Sequence, residues 1–249
     1  MHQASIDIPA ADGVSDGYFV KPDGPGPYPG IVMFMDAFGV RPRLREMADR
    51  VAEQGYAVLL PNLFYRGGRS PLVDPADLND PDRRGAAFGR LMPLMQQLTA
   101  DRVVADTRAY LDFLAAQEGV APGPAGAVGY CMGGRNALIA MAALPERIAV
   151  LGSFHAGRVV TEDADSPHLA VGPITGEVYF GHADNDGSMT PEHVKALEEA
   201  LASAGVTYTS EVYEGAPHGY TMSDTAMYHE GAEKRHWAAL FPLLDRNLH

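Results

Sequence analysis

The sequence predicts an α/β fold in which a mainly parallel β-sheet is flanked by helices on both faces. Short apolar runs of strand length alternate along the chain with segments of helical period. Several of these runs are continuously apolar, which is typical of parallel strands buried on both faces. No repeat and no long linker interrupts the 249 residues. We therefore expect a single domain over residues 1–249.

The strands are predicted from apolar runs bounded by glycine, proline or polar turn residues. A Pro/Gly cluster at 21–27 is too short to separate domains and is predicted as a turn between strands. The predicted strands are residues 17–20, 30–35, 56–60, 125–129, 148–154, 177–181 and 207–213.

The segments between these runs carry apolar residues on one helical face. Clear examples are residues 43–54 and 101–117. A further helix is expected to begin after Thr190, with Pro191 at its first position, and to end at Gly205. These helices complete the alternation that the fold class requires.

Two segments are less regular. Residues 66–98 are predicted to form a small helical excursion over the sheet. Residues 228–248 are predicted to form a closing helix around Trp237, and Pro242 is expected to kink or break it.

The composition excludes several classes of partner. The formal net charge is −13 at pH 7, so nucleic acid and anionic membrane are not expected as partners, because either would be repelled. No secretory signal is visible, and no apolar run approaches the roughly 20 residues that span a bilayer. The one cysteine cannot form an internal disulfide and fits a reducing compartment. We therefore expect a cytoplasmic protein.

That cysteine lies between glycines, in the stretch Gly129-Tyr130-Cys131-Met132-Gly133. The stretch follows a predicted strand and precedes a predicted helix at 134–144. The pattern G-x-S-x-G in such a place is the nucleophile elbow of α/β-hydrolases, and here cysteine replaces serine. The glycines are needed because a Cβ would clash as the backbone turns. We predict that Cys131 is a nucleophile, favoured as a thiolate by the N-terminus of the following helix.

Such a nucleophile needs a base and an orienting carboxylate, which follow it in chain order in this fold. His218 lies in the Gly/Pro loop 215–219, past a predicted strand, and is predicted as the base. Asp184 and Asp186 both follow the predicted strand 177–181. Asp184 is favoured as the acid, and Asp186 is the alternative.

A further carboxylate, that of Asp36, follows the predicted strand 30–35 and should face the same edge of the sheet. The backbone N–H of Ala37 could pair with that of Met132 to form an oxyanion hole. Asp36 could instead cap the turn after the strand, and both interpretations stay open here.

Together these stretches resemble the dienelactone hydrolase family over nearly the whole chain. The cysteine elbow is the most specific of the matching motifs. The motifs are D-A-F-G-V at 36–40, A-E-Q-G-Y-A-V at 52–58, P-N-L-F-Y-R at 61–66, G-Y-C-M-G-G at 129–134 and G-A-P-H-G at 215–219.

The resemblance implies an α/β-hydrolase fold with an eight-stranded, mainly parallel sheet. It also implies a Cys131–His218–Asp184 triad that hydrolyses a lactone or ester through a thioester acyl-enzyme, with no metal ion and no cofactor. Family members carry a glutamate at the position of Asp36, and that carboxylate helps to generate the thiolate once substrate has bound. The shorter Asp36 reaches about 1.5 Å less far.

Two departures from the family pattern concern substrate binding. An arginine four residues after the family's histidine, which grips a substrate carboxylate, corresponds here to Met222. A second carboxylate-binding arginine corresponds to Arg83 or Arg84. The methionine therefore predicts a preference for neutral lactones or short-chain esters. The candidate substrate-binding residues are Phe38, Arg83, Arg84, His155, Tyr220 and Met222.

The predicted function is a cysteine-dependent hydrolase of small lactones or carboxylic esters, acting as a monomer or homodimer. A carboxylesterase or thioesterase without dienelactone activity is the alternative among enzymes. A small-molecule binder or thiol sensor that uses Cys131 is the alternative outside them. A complete triad argues against a binder, since a binder needs neither a base nor an orienting acid.

Overall fold

Eight strands form one central sheet in the computed structural model of the protein, which describes residues 1–249. The strands are β1 (His2–Ala10), β2 (Gly13–Lys21), β3 (Gly30–Phe34), β4 (Ala57–Pro61), β5 (Ala125–Tyr130), β6 (Ile148–Phe154), β7 (Glu177–Ala183) and β8 (Tyr208–Tyr213). Their order across the sheet is β1-β2-β4-β3-β5-β6-β7-β8.

The sheet is mainly parallel, which confirms the predicted fold class. Strand β2 runs antiparallel to its neighbours β1 and β4, and every other neighbouring pair is parallel. Strands β3, β4 and β5 are buried at every residue, which explains their continuously apolar sequences. Strand β1 has no apolar run that would predict it, because it is an edge strand with mostly exposed side chains.

Helices cover both faces of the sheet. They are α1 (Pro42–Ala52), α2 (Pro81–Gln96), α3 (Ala100–Ala115), α4 (Met132–Ala143), α5 (Pro191–Ala204) and α6 (Glu230–Leu248). Leu240 of α6 covers the position of Gly152 in β6, whereas the next residue, Ser153, faces Gly134 of α4. Because successive strand residues point to opposite faces, α4 and α6 lie on opposite sides. None of the helices is long and apolar enough to cross a membrane.

Helix α6 is not broken at Pro242, so of the two predicted effects of this proline, a kink or a break, the break does not occur. This proline lies inside the helix without ending it. Leu240, Leu243 and Leu244 are completely buried around it, so packing on the sheet stabilises the helix despite the hydrogen bond that proline cannot donate.

The carboxyl ends of the strands bring the candidate functional residues to one edge of the sheet. Asp36 follows β3, Cys131 directly follows β5, and His155 directly follows β6. Asp186 and His218 lie in the loops after β7 and β8. In open α/β sheets, this is the edge at which ligands bind.

Candidate active site

Cys131 occupies a strained turn between β5 and α4. Its φ is 54° and its ψ is −120°, a conformation that residues with a side chain rarely adopt and that costs on the order of 1–3 kcal/mol. Such a turn is typical of a nucleophile elbow, in which the side chain is presented above the end of the sheet. The residue is only half-buried, so substrate can reach the thiol.

Two glycines make this turn sterically possible. A Cβ at Gly129 would lie 2.4 Å from the carbonyl oxygen of Gly133, and a Cβ at Gly133 would lie 2.3 Å from that of Phe34. Both clashes are with backbone atoms, so no change of rotamer could relieve them. The elbow is therefore present, for the steric reason that the sequence suggested.

His218 lies between the thiol and a carboxylate. Its Nε2 is 3.0 Å from Sγ of Cys131, and its Nδ1 is 2.6 Å from Oδ2 of Asp186. These three residues follow three different strands, β8, β5 and β7. The geometry is that of a base that contacts a nucleophile while a third group orients the base.

Asp184, the predicted acid, does not contact His218. Its carboxylate accepts a hydrogen bond from the backbone N–H of Gly215 at 2.9 Å. The chain turns at Asn185, where φ is 53°, so the two aspartates direct their side chains differently. The prediction that Asp184 pairs with His218 is wrong, and the alternative residue, Asp186, makes that contact.

Hydrogen bonds hold Asp186 in its ionised form. Burial favours the neutral carboxyl group, but the contacts with His218 and Ser188 outweigh burial and lower the pKa of Asp186 to about 2. Ser188 donates both its backbone N–H and its hydroxyl to Oδ1, at 2.8 and 2.7 Å. This buried carboxylate is therefore charged at any physiological pH.

The same contacts favour a charged imidazole. Burial alone would lower the pKa of His218, but the negative charge of Cys131 and the hydrogen bond to Asp186 raise it to about 10. The imidazolium form of His218 is thus favoured at neutral pH, beside the sulfur that it contacts.

The two backbone N–H groups predicted as oxyanion donors, those of Met132 and Ala37, have no hydrogen-bond acceptor in the protein. Met132 is the first residue of α4, so its N–H has no acceptor within the helix. Ala37 follows β3, the neighbour of β5 in the sheet, and its N–H donates to no group of the protein. Both predicted donors therefore lie where neighbouring parallel strands end.

Asp36 forms an ion pair with Arg41. Arg41 donates from Nη1 and Nη2 to its two carboxylate oxygens at 2.7 and 3.0 Å. The backbone N–H of Phe38 donates to the same carboxylate at 3.0 Å. No hydrogen bond joins Asp36 to Cys131, and the implied role of Asp36 after substrate binding stays a prediction. The alternative, in which Asp36 caps the turn after the strand, is the arrangement present.

Sequence reasoning did not single out Arg41 or its second partner, Asp224. Arg41 is buried, at 2% exposure, and bonds to Asp224 across 183 positions. Neither residue belongs to a recognisable motif. A pairing over such a distance leaves no local signal in one sequence.

Three candidate substrate-binding residues keep some exposure. Phe38 is half-buried beside Ala37, and its ring meets that of Phe88 in α2 at 6.3 Å between centroids. Arg84 is also half-buried, whereas Arg83 is exposed and pairs with Asp77. Contact between these residues and a substrate stays a prediction.

The other three candidates are buried, so the prediction that they contact substrate is wrong. His155 and Tyr220 have 0% exposure and Met222 has 2%. His155 shares a hydrogen bond with Thr221 at 2.8 Å, and the Tyr220 hydroxyl donates to the carbonyl of Gly181 at 3.0 Å. These side chains pack inside the protein and do not line an open surface.

The strand order, the strained cysteine turn and the ordered contacts from thiol to imidazole to carboxylate define an α/β-hydrolase. The chain matches the dienelactone hydrolase family over residues 15–248. It therefore belongs to that family, which confirms the resemblance seen in its motifs.

Individual relatives agree with this assignment. The chain is 29% identical over 222 residues to the carboxymethylenebutenolidase of Rhodococcus opacus, covering 88% of this chain and 81% of the relative. A Synechocystis protein provisionally given the same name is 26% identical over 234 residues, covering 93% and 92%. A crystal structure from Klebsiella pneumoniae, provisionally named a dienelactone hydrolase, superposes with a TM-score of 0.84 at 22% identity and covers 98% of both chains.

Proposed function

We propose that this protein hydrolyses small neutral esters or lactones through a thioester on Cys131. The observation that carries the proposal is the continuous contact from Sγ of Cys131 through the His218 ring to the Asp186 carboxylate. A binding protein has no need of this arrangement. The name carboxymethylenebutenolidase, carried by the relatives, supports a lactone or ester as the class of substrate.

In the first half of the reaction, the thiolate sulfur of Cys131 attacks the carbonyl carbon. The carbonyl oxygen takes up the negative charge and accepts hydrogen bonds from the N–H groups of Ala37 and Met132. When the intermediate collapses, the C–O bond breaks and the leaving oxygen takes the proton of the His218 imidazolium. The acyl group remains on sulfur as a thioester.

In the second half, the now neutral His218 accepts a proton from water while the water oxygen attacks the thioester carbon. The C–S bond then breaks, which releases a carboxylic acid and restores the thiolate–imidazolium pair. Asp186 stays ionised throughout and orients the ring through Nδ1.

Three features favour uncharged substrates. The guanidinium of Arg41 is occupied by Asp36 and Asp224, so it has no free donor for a substrate carboxylate. Position 222 carries a buried methionine and no cation. The formal net charge of −13 adds a weak repulsion of anions.

The free thiol also suits a reducing compartment, and we propose the cytoplasm as the location of the protein.

Burst kinetics with an excess of a short-chain p-nitrophenyl ester tests the proposal. We expect a stoichiometric release of p-nitrophenol before the steady state, and an acyl group on the Cys131 peptide after acid quenching and mass spectrometry. Cys131→Ala should lose both signals and keep its circular dichroism spectrum, because alanine fits the same turn. Undiminished turnover by folded Cys131→Ala would refute the proposal. Absence of any Cys131-dependent turnover in the wild type would favour a thiol sensor or a binder.

A further inference from the structure

Two loops bring backbone and side-chain groups to Cys131. The oxyanion loop, residues 35–41, connects β3 to α1 and contains Ala37. The base loop, residues 214–229, connects β8 to α6 and contains His218. Neither loop has the repeated hydrogen bonds of a strand or a long helix. Contacts between the loops therefore contribute, together with the hydrogen bond from His218 to Asp186, to how the N–H donor and the imidazole lie relative to each other.

Arg41 joins these two loops directly. On one side it holds both carboxylate oxygens of Asp36, at 2.7 and 3.0 Å. On the other side its Nε donates to Oδ2 of Asp224 at 2.5 Å, and its Nη2 donates to Oδ1 at 3.2 Å. One guanidinium thus bridges a carboxylate of the oxyanion loop and a carboxylate of the base loop.

Every hydrogen-bond donor of Arg41 is used within this cluster. A guanidinium has five N–H groups, and the one that reaches neither carboxylate donates to the carbonyl oxygen of Gly39 at 3.2 Å. The Arg41 side chain is 1% exposed, that of Asp36 5% and that of Asp224 22%. Since burying charges offsets much of their attraction, such a cluster contributes more to a defined geometry than to stability.

We propose that Arg41 is a positioning residue for catalysis. By holding Asp36 and Asp224 in one guanidinium, it sets the relative positions of the Ala37 N–H and the His218 ring. Arg41 itself makes no hydrogen bond to the thiol, and all its donors are used by Asp36, Asp224 and Gly39. The inference rests on the proposed function, in which Ala37 and His218 act on the same carbonyl group.

The chain offers a matched control in Arg66. This residue also bridges two aspartates, Asp12 and Asp106, each at 2.7 Å, and its side chain is 10% exposed. None of the three residues lies in the oxyanion loop or the base loop. Arg41→Met and Arg66→Met therefore remove the same kind of bridge, and only the first belongs to the site.

The test measures kcat and KM on a p-nitrophenyl ester and inhibition by the aldehyde analogue of its acyl part. An aldehyde adds to the Cys131 thiol as a tetrahedral thiohemiacetal, which resembles the oxyanion intermediate. We expect Arg41→Met to lower kcat by about 10- to 100-fold, the loss associated with a misplacement of about 1 Å. Aldehyde inhibition should weaken by a similar factor while KM changes little. Arg66→Met should keep wild-type kcat and inhibition.

Equal losses of kcat in the two variants would overturn the inference, and so would a lower kcat with unchanged aldehyde inhibition. Arg41→Lys should resemble Arg41→Met, because an ammonium cannot hold two carboxylates bidentately. Should Arg41→Met fail to fold, Asp224→Asn replaces it at the more exposed end of the bridge. Wild-type kcat and inhibition in Asp224→Asn would then overturn the inference. Failure of the proposed function is distinguishable, because the wild type itself would then show neither Cys131-dependent turnover nor Cys131-dependent aldehyde binding.

Discussion

Sγ of Cys131 lies 3.0 Å from Nε2 of His218, although the two residues are 87 positions apart in the chain. The contact arises because β5 and β8 are parallel strands that end at the same edge of the sheet. The elbow presents the thiol above that edge, and the loop after β8 returns the imidazole to it. Through this contact, the imidazole of His218 can exchange a proton with the thiol of Cys131.

Replacing Asp186 should reduce activity far more than replacing Asp184. Asp186→Asn removes the charge that orients His218 and stabilises the imidazolium, so kcat should fall by about 10²- to 10⁴-fold. Asp184→Asn is the matched control, because an amide oxygen can still accept the hydrogen bond from Gly215, and its kcat should stay near the wild-type value. Steady-state kinetics on one ester ranks the two variants, and the reverse ranking would return the acid role to Asp184.

The proton on His218 should set the alkaline limit of activity. Its pKa of about 10 keeps the imidazolium available at neutral pH, and activity should fall as the pH rises through that value. Asp186→Asn removes one of the charges that raise this pKa, so the alkaline limb of kcat/KM should move to lower pH. NMR titration of the His218 ring in both proteins checks the shift, and an unmoved limb contradicts it.

The same proton links folding to pH. The pKa of His218 is raised above its ordinary value of 6.5, so protonation of this ring stabilises the folded state. The stabilisation is complete below pH 6.5 and disappears as the pH rises through about 10.

Buried neutral histidines should make the fold sensitive to acid. Burial lowers the pKa of His155 and of His236 well below 6.5 and that of His182 to about 4. The unfolded chain therefore binds these protons first as the pH falls below 6.5. The free energy of unfolding should drop by up to about 1.4 kcal/mol per pH unit for each histidine.

Urea unfolding between pH 7 and about pH 5 measures this slope. The variant His236→Phe keeps a ring in the same place and should show a smaller slope than the wild type. His2→Gln, at an exposed position, is the control and should leave the slope unchanged. Identical slopes in all three proteins would show that buried histidines do not carry the acid sensitivity.

Substrate charge should affect kcat/KM strongly. A carboxylate on the substrate finds no free arginine donor at Arg41, and a charge-assisted hydrogen bond of about 1.5–3 kcal/mol is absent. We therefore expect a neutral ester to exceed its carboxylate analogue by roughly ten- to a hundredfold in kcat/KM. A preference for the anionic ester would indicate another cation, with Arg83 and Arg84 as the first candidates. The variants Arg83→Ala and Arg84→Ala would then show which arginine binds the substrate carboxylate.

The sequence by itself determined the fold class and singled out Cys131 and His218, which the structure brings into contact. Continuous apolar runs that alternate with helical periods are local features, and they led to the parallel sheet. The elbow is also local, because Gly129 and Gly133 are needed wherever Cys131 turns in this way. His218 could be found for the same reason, since its Gly/Pro loop follows a strand directly.

Only the tertiary structure decided which carboxylate contacts His218 and which side chains are exposed. Asp184 and Asp186 are separated by Asn185, at which the backbone turns. Which of the two contacts His218 depends on the position of the loop after β8. Asp36 is paired with Arg41, which also bonds to Asp224 across 183 positions. The burial of Tyr220 and Met222 likewise depends on how the base loop packs. These outcomes depend on contacts between distant segments, and the physical reason is that a side chain's direction and partners are set by packing, which local sequence patterns do not record.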